Sequence, residues 1–287
     1  MNLNSKVILG TANFGSNYGL SNTKINRDEI KKILELAKKY KIDSIDTAYN
    51  YKNAEKLLGN FNLKNFKIIT KIPKIPINRD PGNWIKNKLY KSLERLKLNK
   101  IHALFLHNEL DILSENKREK IMETFNNLKS QKIINKIGCS IYNVSSLNQL
   151  LRFYKFDIIQ APFNIFDRRI SKKKNIKLLE KHQTKLHLRS IFLQGILVNP
   201  KIKLPKKLVR FEKNINDFKN WCKLNNISFL EGCISVLKKF NFDKILIGFE
   251  NHKQLKKIIL SLNTKKIIYP EVNFSNKNLL IDPRKWF

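Results

Sequence analysis

Along the chain, short apolar, β-branched runs alternate with longer stretches whose apolar residues recur every three to four positions. The short runs lie at 7–10, 42–46, 66–71, 101–107, 135–140, 156–161, 185–190 and 244–248, and they predict strands. The longer ones predict amphipathic helices. Residues 27–40 put Ile30, Ile33, Leu34 and Ala37 on one face, and residues 83–96 do the same with Trp84, Leu89, Leu93 and Leu96. Asn26, and Asp80 followed by Pro81, supply the helix starts. Eight strands alternating with helices predict an α/β fold with a parallel sheet, and closing it as a (β/α)8 barrel hides every edge.

The segment after the seventh strand carries two helical patterns, 211–224 and 229–240, so the repeat has an embellishment there. From 261 to 287 the periodicity is lost, but Leu279, Leu280, Trp286 and Phe287 predict a C-terminal tail that packs across the barrel. No Pro- or Gly-rich linker divides the chain, so residues 1–287 are expected to form one domain with short loops.

Composition agrees with a folded globule: 287 residues, 42% hydrophobic and 10% aromatic, are enough for one large core. Cys139, Cys222 and Cys233 are odd in number and lack close paired spacing, so they suggest buried thiols rather than disulfides or a zinc site, and no metal is expected. The N-terminal residues do not read as a secretory signal, and no apolar run approaches the roughly 20 residues of a spanning helix. The expected location is therefore cytoplasmic, with no membrane partner.

A formal net charge of +34 raises the question of nucleic acid. The pattern argues against a specific site. Lysine greatly outnumbers arginine, and it is interspersed with Asn and Ile, as in 172–177, which fits compositional bias and solvated helix faces. No basic-aromatic groove motif is present. Such a chain still attracts anions weakly, with screening beyond about 8 Å at physiological salt.

Polar residues stand at or just beyond the ends of successive apolar runs: Asp46 and Tyr51 after the second, Lys71 in the third and His107 in the fourth. A parallel barrel displays its chemistry at these strand ends. Singly, each has a plainer role: Asp46 as a cap, Tyr49 and Tyr51 as packing groups, His107 as a rim residue.

In order and placement the chain resembles an aldo-keto reductase over nearly its whole length. The matching stretches are 9–15, 46–51 with Glu55 and Gly59, Thr70-Lys71, Leu106-His107, 136–140, Gln160, 190–195, and Ile247-Gly248 with Gln254-Leu255. The resemblance implies a TIM barrel that binds a nicotinamide cofactor, usually NADPH, without a Rossmann domain. It implies catalysis by Asp46, Tyr51, Lys71 and His107.

Those residue types suit carbonyl reduction by hydride. Negative charge develops on the carbonyl oxygen, so a proton donor must lie within hydrogen-bond reach, and Tyr51 is the candidate. Lys71 would lower the phenol pKa from its usual value of about 10. Asp46 would hold Lys71, and His107 would donate to the carbonyl oxygen.

By the same resemblance Ser140 and Gln160 hold the nicotinamide carboxamide, although Ile141 stands where relatives often have Asn. Arg189 replaces a stacked aromatic residue, with a guanidinium plane as substitute; it also reads as a rim Arg paired with a carboxylate. Gly10 and Thr11 are cofactor-contact candidates at the end of the first strand. Ser190, Leu193 and Gly195 resemble the loop around the pyrophosphate. Gly248 and Gln254 match the adenine end, where a Glu-Asn pair is replaced by Lys257-Ile258. A cation for a 2′-phosphate would come from Lys253, Lys256 or Lys257, or all three face solvent. NADPH is expected, with NADH possible.

Phe14, Tyr18, Trp84 and Phe163 are candidates for an apolar substrate wall, although aromatic residues near strand ends are more often simply packed. The expected partner is a small aldehyde, ketone or sugar-like molecule, and nothing in the sequence sets an oligomeric state. A second reading is a catalytically weak regulatory or interaction protein that keeps the barrel and binds the cofactor.

Overall fold

The computed structural model describes residues 3–262 and 279–287. Among them, eight parallel strands close into a barrel in sequence order. These are β1 (Val7–Gly10), β2 (Ser44–Asp46), β3 (Lys67–Ile72), β4 (Ile101–Leu106), β5 (Ile134–Ser140), β6 (Ile158–Pro162), β7 (Lys185–Arg189) and β8 (Lys244–Ile247). Closure comes from β8 pairing back on β1, with Ile8 opposite Leu246.

Helix α1 (Arg27–Lys39) starts where Asn26 accepts from the Glu29 amide, and it buries Ile30, Ile33, Leu34 and Ala37. After α2 (Ala54–Leu58), α3 (Pro81–Leu96) starts on Asp80, which accepts from the Asn83 amide, with Pro81 in the first turn. The outer ring continues through α4 (Leu110–Leu113), α5 (Glu115–Ser130), α6 (Leu147–Phe153) and α7 (Lys173–Lys181). It ends with α8 (Glu212–Leu224), α9 (Phe229–Ser235) and α10 (His252–Ser261). No described helix is long and apolar enough to cross a membrane.

The second strand is shorter than the expected 42–46. Lys41 turns left-handed at φ 57°, and the Ile42 amide donates to the Ala37 carbonyl, so residue 42 closes α1 instead of extending the sheet. The expected 229–240 helix is regular only through Ser235 and finishes as a 3₁₀ turn, Val236–Lys239.

Inside the barrel, Ile8, Ile69, Ala103, Phe105 and Ile158 form a packed apolar layer. Gly138 makes room for it, since a Cβ there would lie 2.3 Å from the Phe105 ring. This layer floors the site above. All three cysteines are buried and free.

Within the tail, Leu280, Ile281 and Trp286 are buried, and the Trp286 indole donates to the Leu279 carbonyl at 2.9 Å. Phe287, expected to pack, is instead 84% exposed, with its carbonyl accepting from Lys207. Residues 263–278 of the expected tail lie outside the described residues.

Candidate active site

β2, β3 and β4 deliver Asp46, Lys71 and His107 to one end of the barrel, and the turn after β2 brings Tyr51 over them. Register explains the meeting of the first two. Asp46 pairs with Ile69, so Lys71, two residues further along β3, points to the same face just above it. The Lys71 ammonium donates to Asp46 Oδ1 and, at 2.9 Å, to the Thr47 carbonyl, with both side chains 1% exposed.

The other carboxylate oxygen is also satisfied. Gln160 Nε2 on β6 donates to Asp46 Oδ2 at 2.9 Å, and the Ser140 hydroxyl donates to Gln160 Oε1 at 3.3 Å. A polar chain thus runs across the barrel from Ser140 to Lys71. Thr11 adds bonds to the Asp46 carbonyl from its hydroxyl and its amide.

Above this floor the Lys71 ammonium lies 5.1 Å from the Tyr51 ring centroid, and the His107 ring meets Tyr51 edge-on at 6.0 Å. Tyr49 turns away from the site, where Lys88 and Arg95 cover its ring.

Burial pushes the Tyr51 phenol pKa up, helped by the negative charge of Asp46. This corrects the expectation that Lys71 lowers it: the Lys71 charge is already matched by Asp46, so desolvation decides the direction. Burial, with Lys71 and Arg189 adding to it, pushes the His107 imidazole down to about 3. The ring is therefore neutral at physiological pH and has one N–H to donate.

The four residues line a cavity of about 1420 Å³, which Gly10, Thr11, Ser140, Gln160, Arg189, Ser190, Gly195, Gly248 and Gln254 also line. Leu193, expected among them, is not on its wall: its side chain is fully buried. Ile141 is likewise buried, its amide donating to the Gln160 carbonyl. Of the lysines named for a 2′-phosphate, Lys253 and Lys257 reach the wall and Lys256 does not.

The loop after β7 is bent. Ser190, Leu193 and Gln194 hold φ of 64°, 49° and 50°, and Gly195 follows at 91°. Such left-handed residues cost energy outside glycine and concentrate at binding sites. At Gly248 an added Cβ would meet nothing within 4 Å, so the end of β8 opens onto free space.

The substrate wall differs from expectation. Of the four aromatic residues, only Tyr18 lines the cavity; Phe14 and Phe163 are fully buried against Phe249 and Phe240, and Trp84 lies under Lys88. The wall also carries Tyr142 from the loop after β5 and Arg284 from the C-terminal tail, neither of which sequence reasoning named. Arg189 and Arg284 place their guanidinium carbons 3.9 Å and 3.6 Å from the Tyr142 ring centroid. Arg189 donates to the Ile141 carbonyl at 2.9 Å and the Ser190 hydroxyl at 3.2 Å, not to a carboxylate.

A barrel with an acid, a phenol, an amine and a neutral imidazole converging over a polar floor defines the class as an oxidoreductase barrel of the aldo-keto reductase type. The family model described as Aldo/keto reductase family matches residues 6–269, and the chain belongs to that family. No curated protein sequence matches it.

Among solved structures, the chain is similar to aldo-keto reductase AKR11C1 from Bacillus halodurans in its holo form. That match has 18% identity and a TM-score of 0.74, covering 92% of this chain and 88% of the other. It is also similar to the glycerol dehydrogenase AKR11B4 from Gluconobacter oxydans, at 20% identity and a TM-score of 0.69, with the same coverage of 92% and 88%. At these identities the likeness speaks for the fold. Aldo-keto reductases use nicotinamide cofactors and act on small carbonyl substrates.

Proposed function

We propose that this chain is an NAD(P)H-dependent reductase of small aldehydes, ketones or sugar-like carbonyl compounds, with Tyr51 as the general acid. The observation that carries the reading is the Asp46–Lys71–Tyr51–His107 arrangement on one cavity wall. The nicotinamide cofactor, when bound, supplies the hydride that adds to the carbonyl carbon.

The chain's own groups serve the oxygen. His107, neutral, donates a hydrogen bond to it and so fixes its position. The Tyr51 phenol, held protonated by its buried setting, gives its proton as charge develops there. Carbon has gained hydride and oxygen a proton, leaving an alcohol and a phenolate that regains its proton from solvent. Lys71 and Arg189 face that transient negative charge, while Asp46 keeps Lys71 in place.

The cavity suits the cofactor in size and in chemistry. Ser140 and Gln160 offer polar groups for a carboxamide, and Arg189 offers a planar face beside it. The left-handed loop of Ser190 and Gly195 offers backbone groups to a pyrophosphate, with open space past Gly248 and with Gly10 and Thr11 on the same wall. Gln254, already bonded to the Glu250 amide, holds the start of α10, where Lys253 and Lys257 favour NADPH. Fluorescence titration with NADPH and NADH tests this half of the reading: NADPH binds more tightly, and Lys253→Ala with Lys257→Ala narrows the difference. No binding of either cofactor would refute it.

A further inference from the structure

Among the described residues, one charge beside the phenol is left without an ionic partner. Asp46 answers Lys71, His107 is neutral, and Arg284 is held by Asp282 through two bonds of 2.8 Å. Arg189 is only 9% exposed, yet its bonds go to two uncharged oxygens and its plane rests near the Tyr142 ring. A buried guanidinium is costly unless an anion accompanies it, and neutral acceptors offset only part of the cost. Neither of the other carboxylates on the cavity wall, Glu231 and Glu250, accepts from Arg189, whose bonds go to Ile141 and Ser190. Glu231 closes the capping box of Ser228, and Glu250 stands beside Gln254 after β8.

We infer that Arg189 recognises an anionic group on the substrate, a carboxylate or a phosphate carried by the carbonyl compound. This rests on the reductase reading of the same cavity. Arg189 lines it with Tyr51 and His107 and acts electrostatically on both, so an anion paired with it sits within one small molecule's reach of the reacting carbonyl. Planar geometry suits two-point recognition of either oxyanion. The whole chain agrees in sign: at +34, with Lys253 and Lys257 on the wall, its field concentrates small anions at the mouth.

The test compares wild type, Arg189→Met and Arg189→Lys on matched pairs, 4-oxobutanoate with butanal and glyceraldehyde 3-phosphate with glyceraldehyde. The ratio of kcat/KM within a pair cancels any effect on the cofactor. Wild type should favour the anionic member of at least one pair by about 10- to 100-fold, the scale of a hydrogen bond to a charged group. The favoured pair tells carboxylate from phosphate. Methionine should bring the ratio near unity, and lysine should fall between, keeping charge but losing the fork. Equal efficiency within both pairs, or a preference unchanged in the methionine variant, overturns the inference.

Failure of the reductase reading is separable. With no turnover on any compound, calorimetric titration of succinate and inorganic phosphate into the same proteins decides. Saturable one-site binding lost in Arg189→Met sustains the anion site; absent binding, or binding unchanged by the substitution, overturns it. Should Arg189→Met not melt cooperatively, Arg189→Lys carries the comparison, with a reduced ratio as support and an unchanged one as refutation.

Discussion

Gln160 on β6 donates to the far oxygen of Asp46 on β2 at 2.9 Å, so the carboxylate that holds Lys71 is itself held from across the barrel. The floor of the site is thereby one connected unit, with Ser140 at its outer end. Replacing Gln160 by Met keeps most of the volume but leaves a buried carboxylate oxygen without its donor. A loss of about 1–3 kcal/mol is expected, read as a lower midpoint in urea unfolding at unchanged slope.

Asp46 also contributes to the raised Tyr51 pKa, after burial. In wild type the rate of reduction should show no alkaline fall below about pH 10, the ordinary phenol value, because the acid form persists. Asp46→Asn removes that negative charge and frees the field of Lys71, so the alkaline limb moves to lower pH. The substitution breaks a buried pair and should cost about 3–5 kcal/mol. A pH–rate profile, with stability recorded beside it, checks both effects.

Two histidines, His187 buried and His107 partly so, bring acid sensitivity. Burial pushes the imidazoles of His107 and His187 down to about 3. The unfolded chain takes up those protons near pH 6.5, so stability present above 6.5 is lost as pH falls toward 3. His187→Leu, which removes a ring packed near Phe105 with its Nδ1 unbonded, should flatten that slope by about one proton. Thermal melts between pH 7 and 4 measure it, and equal slopes would count against the assignment.

Gly138→Ala puts a methyl group 2.3 Å from the Phe105 ring, in the layer beneath the site. Overpacking there should cost about 1–3 kcal/mol and disturb activity only through stability. Chemical denaturation alongside kcat/KM separates the two.

Much of this architecture was readable in advance because a parallel barrel buries its strands on both faces, leaving uninterrupted apolar runs whose ends mark the site. Asp46, Lys71 and His107 stand at those ends. Local detail was less readable: Ile42 has strand chemistry but is used to close α1. Leu193 is a matched position whose side chain points into the core. Tyr142 and Arg284 were missed because they lie 142 positions apart, and no periodicity announces that the tail returns to the loop after β5. Phe14, Trp84 and Phe163 were misplaced for a related reason, since an aromatic residue near a strand end packs as readily under the rim as on it.

Tyr51→Phe is the most direct trial of the central claim. Oxidation of NADPH and NADH would be followed over a panel of small aldehydes, ketones and open-chain sugars, with cofactor binding measured by fluorescence for both proteins. Wild type should turn over at least one carbonyl compound, and the variant should lose about 10²- to 10⁴-fold in kcat while still binding cofactor. Turnover undiminished in Tyr51→Phe, or cofactor binding by wild type with no turnover of any compound, would contradict the account.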